Sequence, residues 1–207
     1  QTQQNSSVDV KGEGVVTIVP DQVTVNVRVE NTGTSPKELK QMNDRTISEV
    51  LQYVKRMGID EKYVKTEFVR LSKNYEYNTK TYNYVANQSL SIKLVDLSDY
   101  EKLMNGLLET GINRIDGVTF ASSEMASLES QARKAAIENA KMKAEEYASV
   151  LGQSIGKAIQ ISEFQQTNIP SPMFRGAMAM DGESAAKTLA PGEMEIRVQV
   201  NVSFQLN

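Results

Sequence analysis

Between Glu124 and Gly152 the chain reads EMASLESQARKAAIENAKMKAEEYASVLG, with alanine at Ala132, Ala136, Ala140, Ala144 and Ala148 and Leu128 one step ahead. Recurrence at four-residue intervals marks one face of a helix. It is the longest uninterrupted helical pattern in the sequence. A stripe of methyl groups lets a neighbouring backbone come close, at some cost in buried area per residue. Four residues advance a helix by about 400°, so the stripe drifts about 40° per step and about 160° between Ala132 and Ala148. The expectation is a stripe that winds round the helix, meeting a sheet at one end and a different partner at the other.

The rest of the pattern supplies that sheet. From Val8 to Ile18 apolar residues alternate, and Gly12 and Gly14 share their face. Two glycines inside a strand indicate a bulge or a close approach by another backbone. A turn at Pro20-Asp21 leads to a second strand. Val23, Val25, Val27 and Val29 lie on one face of it, with Thr24, Asn26, Arg28 and Glu30 on the other. The last strand alternates from Met194 to Leu206 without a break. One apolar and one polar face describe antiparallel sheets covered on one side.

Two further helices are bracketed by their caps. Ser35-Pro36-Lys37-Glu38 opens the first, whose stripe reads Leu39, Met42, Ile47, Val50, Leu51 and Val54. Ser98-Asp99-Tyr100-Glu101 opens the second. Both openings are capping boxes. Gly58, Gly111 and Gly152 end the three helices, and Ile59 and Ile112 can fold back on Val54 and Leu107 as Schellman contacts. Helix, glycine, linker and strand recur three times, which shared C-cap physics explains as readily as duplication. A third strand is expected over residues 63–72. The element order is near ββ-α-ββ-α-β-α-ββ, an α+β class with three amphipathic helices on one face of the sheets.

Two segments stand outside this frame. YEYNTKTYNY holds four of the eight tyrosines. A hairpin turn over Asn78 to Thr81 would pair Tyr77 with Tyr82 and Tyr75 with Tyr84. Cross-strand aromatics stabilise a hairpin, and tyrosine is also favoured at protein interfaces. Tyr75, Tyr77, Tyr82 and Tyr84 are therefore candidate contact residues. The second segment, 165–192, is irregular, and long structureless loops inside a domain tend to be functional or disordered. It contributes Met173, Phe174, Met178 and Met180 as further candidates. Thioethers suit Cu(I), but without His or Cys support the methionines are read as adaptable packing at a partner surface. Residues 1–7 are polar and expected to be a disordered tail, leaving 8–207 as one domain.

Composition narrows the chemistry. The sequence has no histidine and no cysteine. That removes the commonest general base, the usual zinc ligands and every thiol. The net charge of −3 and the lack of a basic run argue against nucleic acid. No stretch approaches the roughly 20 apolar residues of a membrane helix. Glu145-Glu146 and Asp60-Glu61 read as solvated positions, and Glu129 with Arg133 as a surface pair. Lys141 or Lys143 with Ser130 or Ser149 lacks the fixed geometry an activated serine needs. Gly12-x-Gly14 does not open a helix, so it is no phosphate loop. No catalytic, cofactor or metal site is expected.

Four stretches together resemble the SIMPL-domain family, which includes YggE-like periplasmic proteins. They are VDVKGEGVVTIVPDQVTVNV, TYNYVANQSLSIKLVDL, GINRIDGVTFASSE followed by Ala132-Arg133, Ala136 and Ala140, and PGEMEIRVQVNVSFQL. The resemblance spans roughly residues 8–206. It implies an exported cell-envelope protein, often linked to oxidative-stress tolerance, with a propensity to form large ring-like or channel-like homo-oligomers, and it brings no established enzyme activity and no catalytic residues to carry over. The start at Gln1 fits signal-peptide removal or a cut boundary equally. The favoured expectation is thus a self-assembling envelope protein. The alternative is a small-ligand or peptide binding module with segment 165–192 as its lid.

Overall fold

The structure is a computed structural model, and it describes residues 6–164 and 188–207. Strands β1 (Ser7–Ile18) and β2 (Gln22–Gly33) precede helix α1 (Pro36–Arg56). Then come β3 (Val64–Thr66), β4 (Arg70–Glu76), β5 (Thr81–Leu94), α2 (Tyr100–Glu109) and β6 (Arg114–Ala121). Helix α3 (Met125–Val150), β7 (Ile155–Phe164) and β8 (Met194–Leu206) follow. All strand pairs are antiparallel, as the alternating patterns require. The expected third strand is divided in two, β3 and β4. The fold is α+β, built as two compact units.

The first unit holds β1, β8, β7 and α3, with sheet order β1-β8-β7. Strands β1 and β8 pair in continuous register from Ser7 opposite Gln205 to Ile18 opposite Met194. Ala132, Ala136, Ala140 and Ala144 share one core with Val10, Ile196, Val198, Val200, Val202 and Phe204. Ala132 to Ala144 therefore lie on one sheet, while Ala148, at the far end of the stripe, is buried outside that core. The i±4 row runs about 26° off the helix axis, and neighbouring strands twist by about 20–25°. A row inclined to its helix can thus follow a twisted sheet where a straight seam would leave it.

The contact is a backbone approach. A Cβ on Gly12 would collide with the Ala136 carbonyl oxygen and stand 2.7 Å from the Ala140 Cβ. A Cβ on Gly14 would collide with the Ala132 carbonyl oxygen and stand 2.6 Å from the Ala136 nitrogen. Two residues forward along β1 correspond to four residues back along α3. Those steps are about 6.7 Å and about 6 Å, so strand and helix periods nearly match. Two polar contacts repeat the same step. The Glu13 N–H donates to Asn139 Oδ1 at 3.1 Å, and Lys143 Nζ donates to the Lys11 carbonyl at 2.9 Å. Strand β1 is an edge strand, and α3 supplies partners to backbone groups that β8 does not use.

The second unit places β3-β5-β2-β6 in one sheet, with β4 also on β5. The valines of β2 and Leu90, Ile92 and Leu94 of β5 face α1 and α2 and form its core with Ile47, Val50, Val54, Leu103 and Leu107. Helix α1 buries Leu39, Asn43, Ile47, Val50 and Val54, while Met42 and Leu51 are exposed. Strict helical spacing gives the inward place to Asn43. Tyr53 lies on Gly106, where a Cβ would overlap its ring, and its hydroxyl donates to the Lys102 carbonyl at 2.7 Å.

The helix ends follow cap physics closely. The Ser35 hydroxyl accepts from the Glu38 N–H. Gly58, Gly111 and Gly152 adopt φ of 79°, 105° and 68°. Ile59 N–H reaches the Val54 carbonyl and Ile112 N–H the Leu107 carbonyl, both at 3.3 Å. The second capping box differs from expectation. A 3-10 turn over Leu97–Asp99 comes first, and Asp96 is its cap, accepting from the Ser98 N–H and hydroxyl.

Gly14→Ala should cost at least about 2–3 kcal/mol, because the clash is with backbone that cannot rotate away; urea unfolding measures it. Asn139→Ala should cost about 1 kcal/mol, one part-buried hydrogen bond. Its loss should appear as faster amide exchange at Glu13.

Candidate functional site

The tyrosine hairpin is formed by β4 and β5, with Glu76 opposite Thr81 as the last pair. Tyr75 faces Tyr82, and Tyr84 faces Lys73. The expected pairing of Tyr77 with Tyr82 is corrected by one loop position. The four loop residues are 77–80, and Lys80 takes φ of 53°. In the other register the last loop residue would be Thr81, whose branched Cβ disfavours positive φ.

This register places the four tyrosines on one face. Tyr75 meets Tyr77 edge to face with centroids 4.9 Å apart, and Tyr82 at 5.1 Å. Lys73 Nζ stands 4.0 Å from the Tyr82 centroid and 6.0 Å from that of Tyr84. Strand β2 ends with Gly33 opposite Tyr84, so beyond that point the ribbon has two strands among the described residues. A two-stranded hairpin is marginal by itself. The aromatic cluster and the lysine over it hold this one together. Its rings stay largely open to solvent, at 42% for Tyr75, 83% for Tyr77 and 51% for Tyr82. Leu71, opposite buried Ala86, is exposed on the same face.

Edge strands are the other features able to take a partner. In the first unit α3 side chains occupy part of the β1 edge. Among the described residues strand β7 pairs with β8 alone, and Ile159, Ile161 and Phe164 along it are each more than half exposed. Glu163 of β7 binds Arg133 at 3.0 Å. Arg133 therefore takes a carboxylate from the neighbouring strand, not the expected Glu129 on its own helix. Met173, Phe174, Met178 and Met180 lie outside the described residues, as do 165–187 of the expected lid and 1–5 of the expected tail.

Ionisation is shifted where local structure dictates it. The Asp44 carboxyl is lowered chiefly by its hydrogen bond from Lys40, and that of Asp96 by the Ser98 hydroxyl and N–H. Burial raises the phenols of Tyr53 and Tyr100, each helped by a nearby glutamate. Asp44 borders an open groove beside Ile47, Leu51 and Val64, where it is one arm of an exposed ion pair with Lys40 one helical turn away. Among the described residues no three His, Cys, Asp or Glu groups gather in a way that holds a metal ion. No helix among them is long and apolar enough to cross a membrane.

The family described as SIMPL, protein of unknown function, matches residues 8–204. The chain belongs to the SIMPL family. It is 26% identical over 216 residues to the 26 kDa periplasmic immunogenic protein of Brucella melitensis, covering 99% of this chain and 86% of that protein. It is 26% identical over 200 residues to the uncharacterized protein YggE of Escherichia coli, covering 94% and 81%. The human Interleukin-1 receptor-associated kinase 1-binding protein 1 is 26% identical over 164 residues, 75% of this chain and 59% of that protein. This SIMPL chain is an exported, periplasmic protein of a family whose function is unknown and for which no catalytic activity is indicated.

Sequence reasoning missed Asn43. Its Nδ2 donates to Gln88 Oε1 at 2.7 Å, and Gln88 Nε2 donates to the Glu67 carbonyl at 2.6 Å. This tie fixes the link between β3 and β4 at the base of the hairpin. A polar residue at a core spacing was the available signal.

Tyr75→Ser removes the ring shared by both aromatic contacts, each worth about 0.5–1.5 kcal/mol. Amide exchange at Asn74 to Thr81 should rise about fivefold or more. The thermal midpoint of the core should stay unchanged, because β4 is exposed along its whole length.

Proposed function

We propose that this SIMPL protein is non-enzymatic and acts by self-assembly in the periplasm, with the tyrosine hairpin as a contact between copies. The observation that carries this reading is the uncovered aromatic face of a ribbon two strands wide. Tyrosine buries a large ring at low entropic cost while its hydroxyl stays bonded. A partner copy would remove Tyr75, Tyr77, Tyr82 and Leu71 from water together. The open edge of β7 lends support as a second surface suited to strand addition. A part in oxidative-stress tolerance belongs to the same proposal. It would run through the assembly and not through a thiol, since the sequence has no cysteine.

The test is the combined replacement of Tyr75, Tyr77, Tyr82 and Tyr84 by Ser. The solution mass by light scattering should fall while far-ultraviolet dichroism is retained. An unchanged mass, or a wild-type chain that is monomeric at micromolar concentration, would reject the hairpin contact.

A further inference from the structure

The sheet of the second unit has a face opposite its helices, and its residues pair in rows. Gly117, Asn26, Ser91 and Lys65 lie across β6, β2, β5 and β3 in one row. The next row pairs Arg28 with Ser89, and the one after pairs Glu30 with Asn87 and Asn87 with Arg70. Short side chains thus occupy the middle and long charged ones the margins. At Gly117 an added Cβ would meet nothing within 4 Å, so that wall is open. The outcome is a trough of about 530 Å³ lined by Asn26, Arg28, Lys65, Glu67, Asn87, Ser91 and their neighbours. That volume lies within the range of small-molecule sites, roughly 300–1,000 Å³.

Its chemistry is specific. The side chains of Asn26, Asn87, Ser89 and Ser91 make no hydrogen bond among the described residues, although they are half-buried. Amides and hydroxyls both donate and accept, as do the vicinal hydroxyls of a sugar. The charges of the walls are nearly balanced. Arg28 holds Asp116 at 3.2 Å and Arg70 lies 3.9 Å from Glu67. Lys65 has no carboxylate within ion-pair distance among the described residues. A phosphate dianion would call for free arginine forks, and both arginines here already face carboxylates. One unmatched ammonium offers a place to one carboxylate of a ligand. Glu67 is set in place by its own N–H to the Ser89 carbonyl at 2.9 Å and by Gln88 behind it.

We propose that this trough binds a short acidic oligosaccharide, its hydroxyls on Asn26, Asn87, Ser89 and Ser91 and its carboxylate on Lys65. The site is separate from the aromatic face of the hairpin and does not depend on self-assembly.

Titration of the full chain with digalacturonic acid, followed by amide and side-chain NMR shifts, tests the proposal. Lactose serves as a neutral probe and inorganic phosphate as a bare anion. Digalacturonate should bind with shifts at Asn26, Asn87, Ser89 and Ser91, and lactose should bind at least about fivefold more weakly. Lys65→Gln should bring digalacturonate down to the lactose level. Asn26→Asp keeps the size of the side chain, and it should weaken digalacturonate about tenfold while sparing lactose. Ser91→Tyr fills the floor and should abolish both. The proposal is overturned by no binding at millimolar probe, by equal affinity of Lys65→Gln and wild type, or by phosphate displacing digalacturonate at equal concentration. Binding by a folded Ser91→Tyr at wild-type strength would overturn it as well.

Discussion

The meeting of two glycines with the backbone of an alanine helix sets the terms for the first unit. Strand β1 and helix α3 come so close that no side chain fits between them at Gly12 or Gly14. An alanine methyl contributes only about 0.8 kcal/mol through burial, so the stripe is not held by area. What it gains is dispersion between backbones at contact distance. It also brings Asn139 and Lys143 within reach of an edge strand that would otherwise offer its free groups to another chain. One substitution pattern, small residues every second place on the strand and every fourth on the helix, therefore serves both packing and edge protection.

The second unit solves the same problem by bulk. Valines on β2, Leu and Ile on β5, and two leucine-bearing helices bury the centre of one face, with Val64, Val118 and Phe120 partly buried at its sides. That concentration of apolar side chains leaves the other face to Thr, Asn, Arg and Ser, and its long side chains stand at the margins. The sheet twist and the irregularity of β6 beside Gly117 then turn a polar surface into a hollow. The same strands continue past the helices into the tyrosine ribbon, where the apolar face has no cover of its own. Two unlike surfaces, one polar and concave, one aromatic and projecting, thus come from opposite faces of a single sheet.

Much of this was legible in the residues. Alternation from Met194 to Leu206 and from Val23 to Val29 fixed the strands and their buried faces. The glycines at 58, 111 and 152 marked the helix ends, and Gly12 and Gly14 announced a close approach. What alternation does not carry is register. The hairpin was displaced because the tolerance of Lys80 for positive φ decided the turn, and neighbouring threonines hid that preference. Asn43 was passed over because polarity outweighed spacing, and Arg133 was given Glu129 as its partner because Glu163 comes from a strand 30 residues away. The trough was out of reach for the same reason. Its rows exist only once four strands are set side by side, and none of its residues is unusual where it stands in the chain.

The pairing of Gln22 with Ala121 bears on how the chain assembles. Residues 21–121, the main part of the second unit, fall in sequence between two parts of the first, and this pair brings the ends of that stretch together. Strand β1 must otherwise find α3 across more than a hundred intervening residues. Once the inserted unit has formed, that search shrinks to a connection of a few residues. Shortening a loop from about 100 residues to a handful lowers the closure entropy by about 3 kcal/mol. The inserted unit thereby acts as an entropic clasp, and the glycine strand reaches its helix at a local concentration set by its neighbour's completed fold.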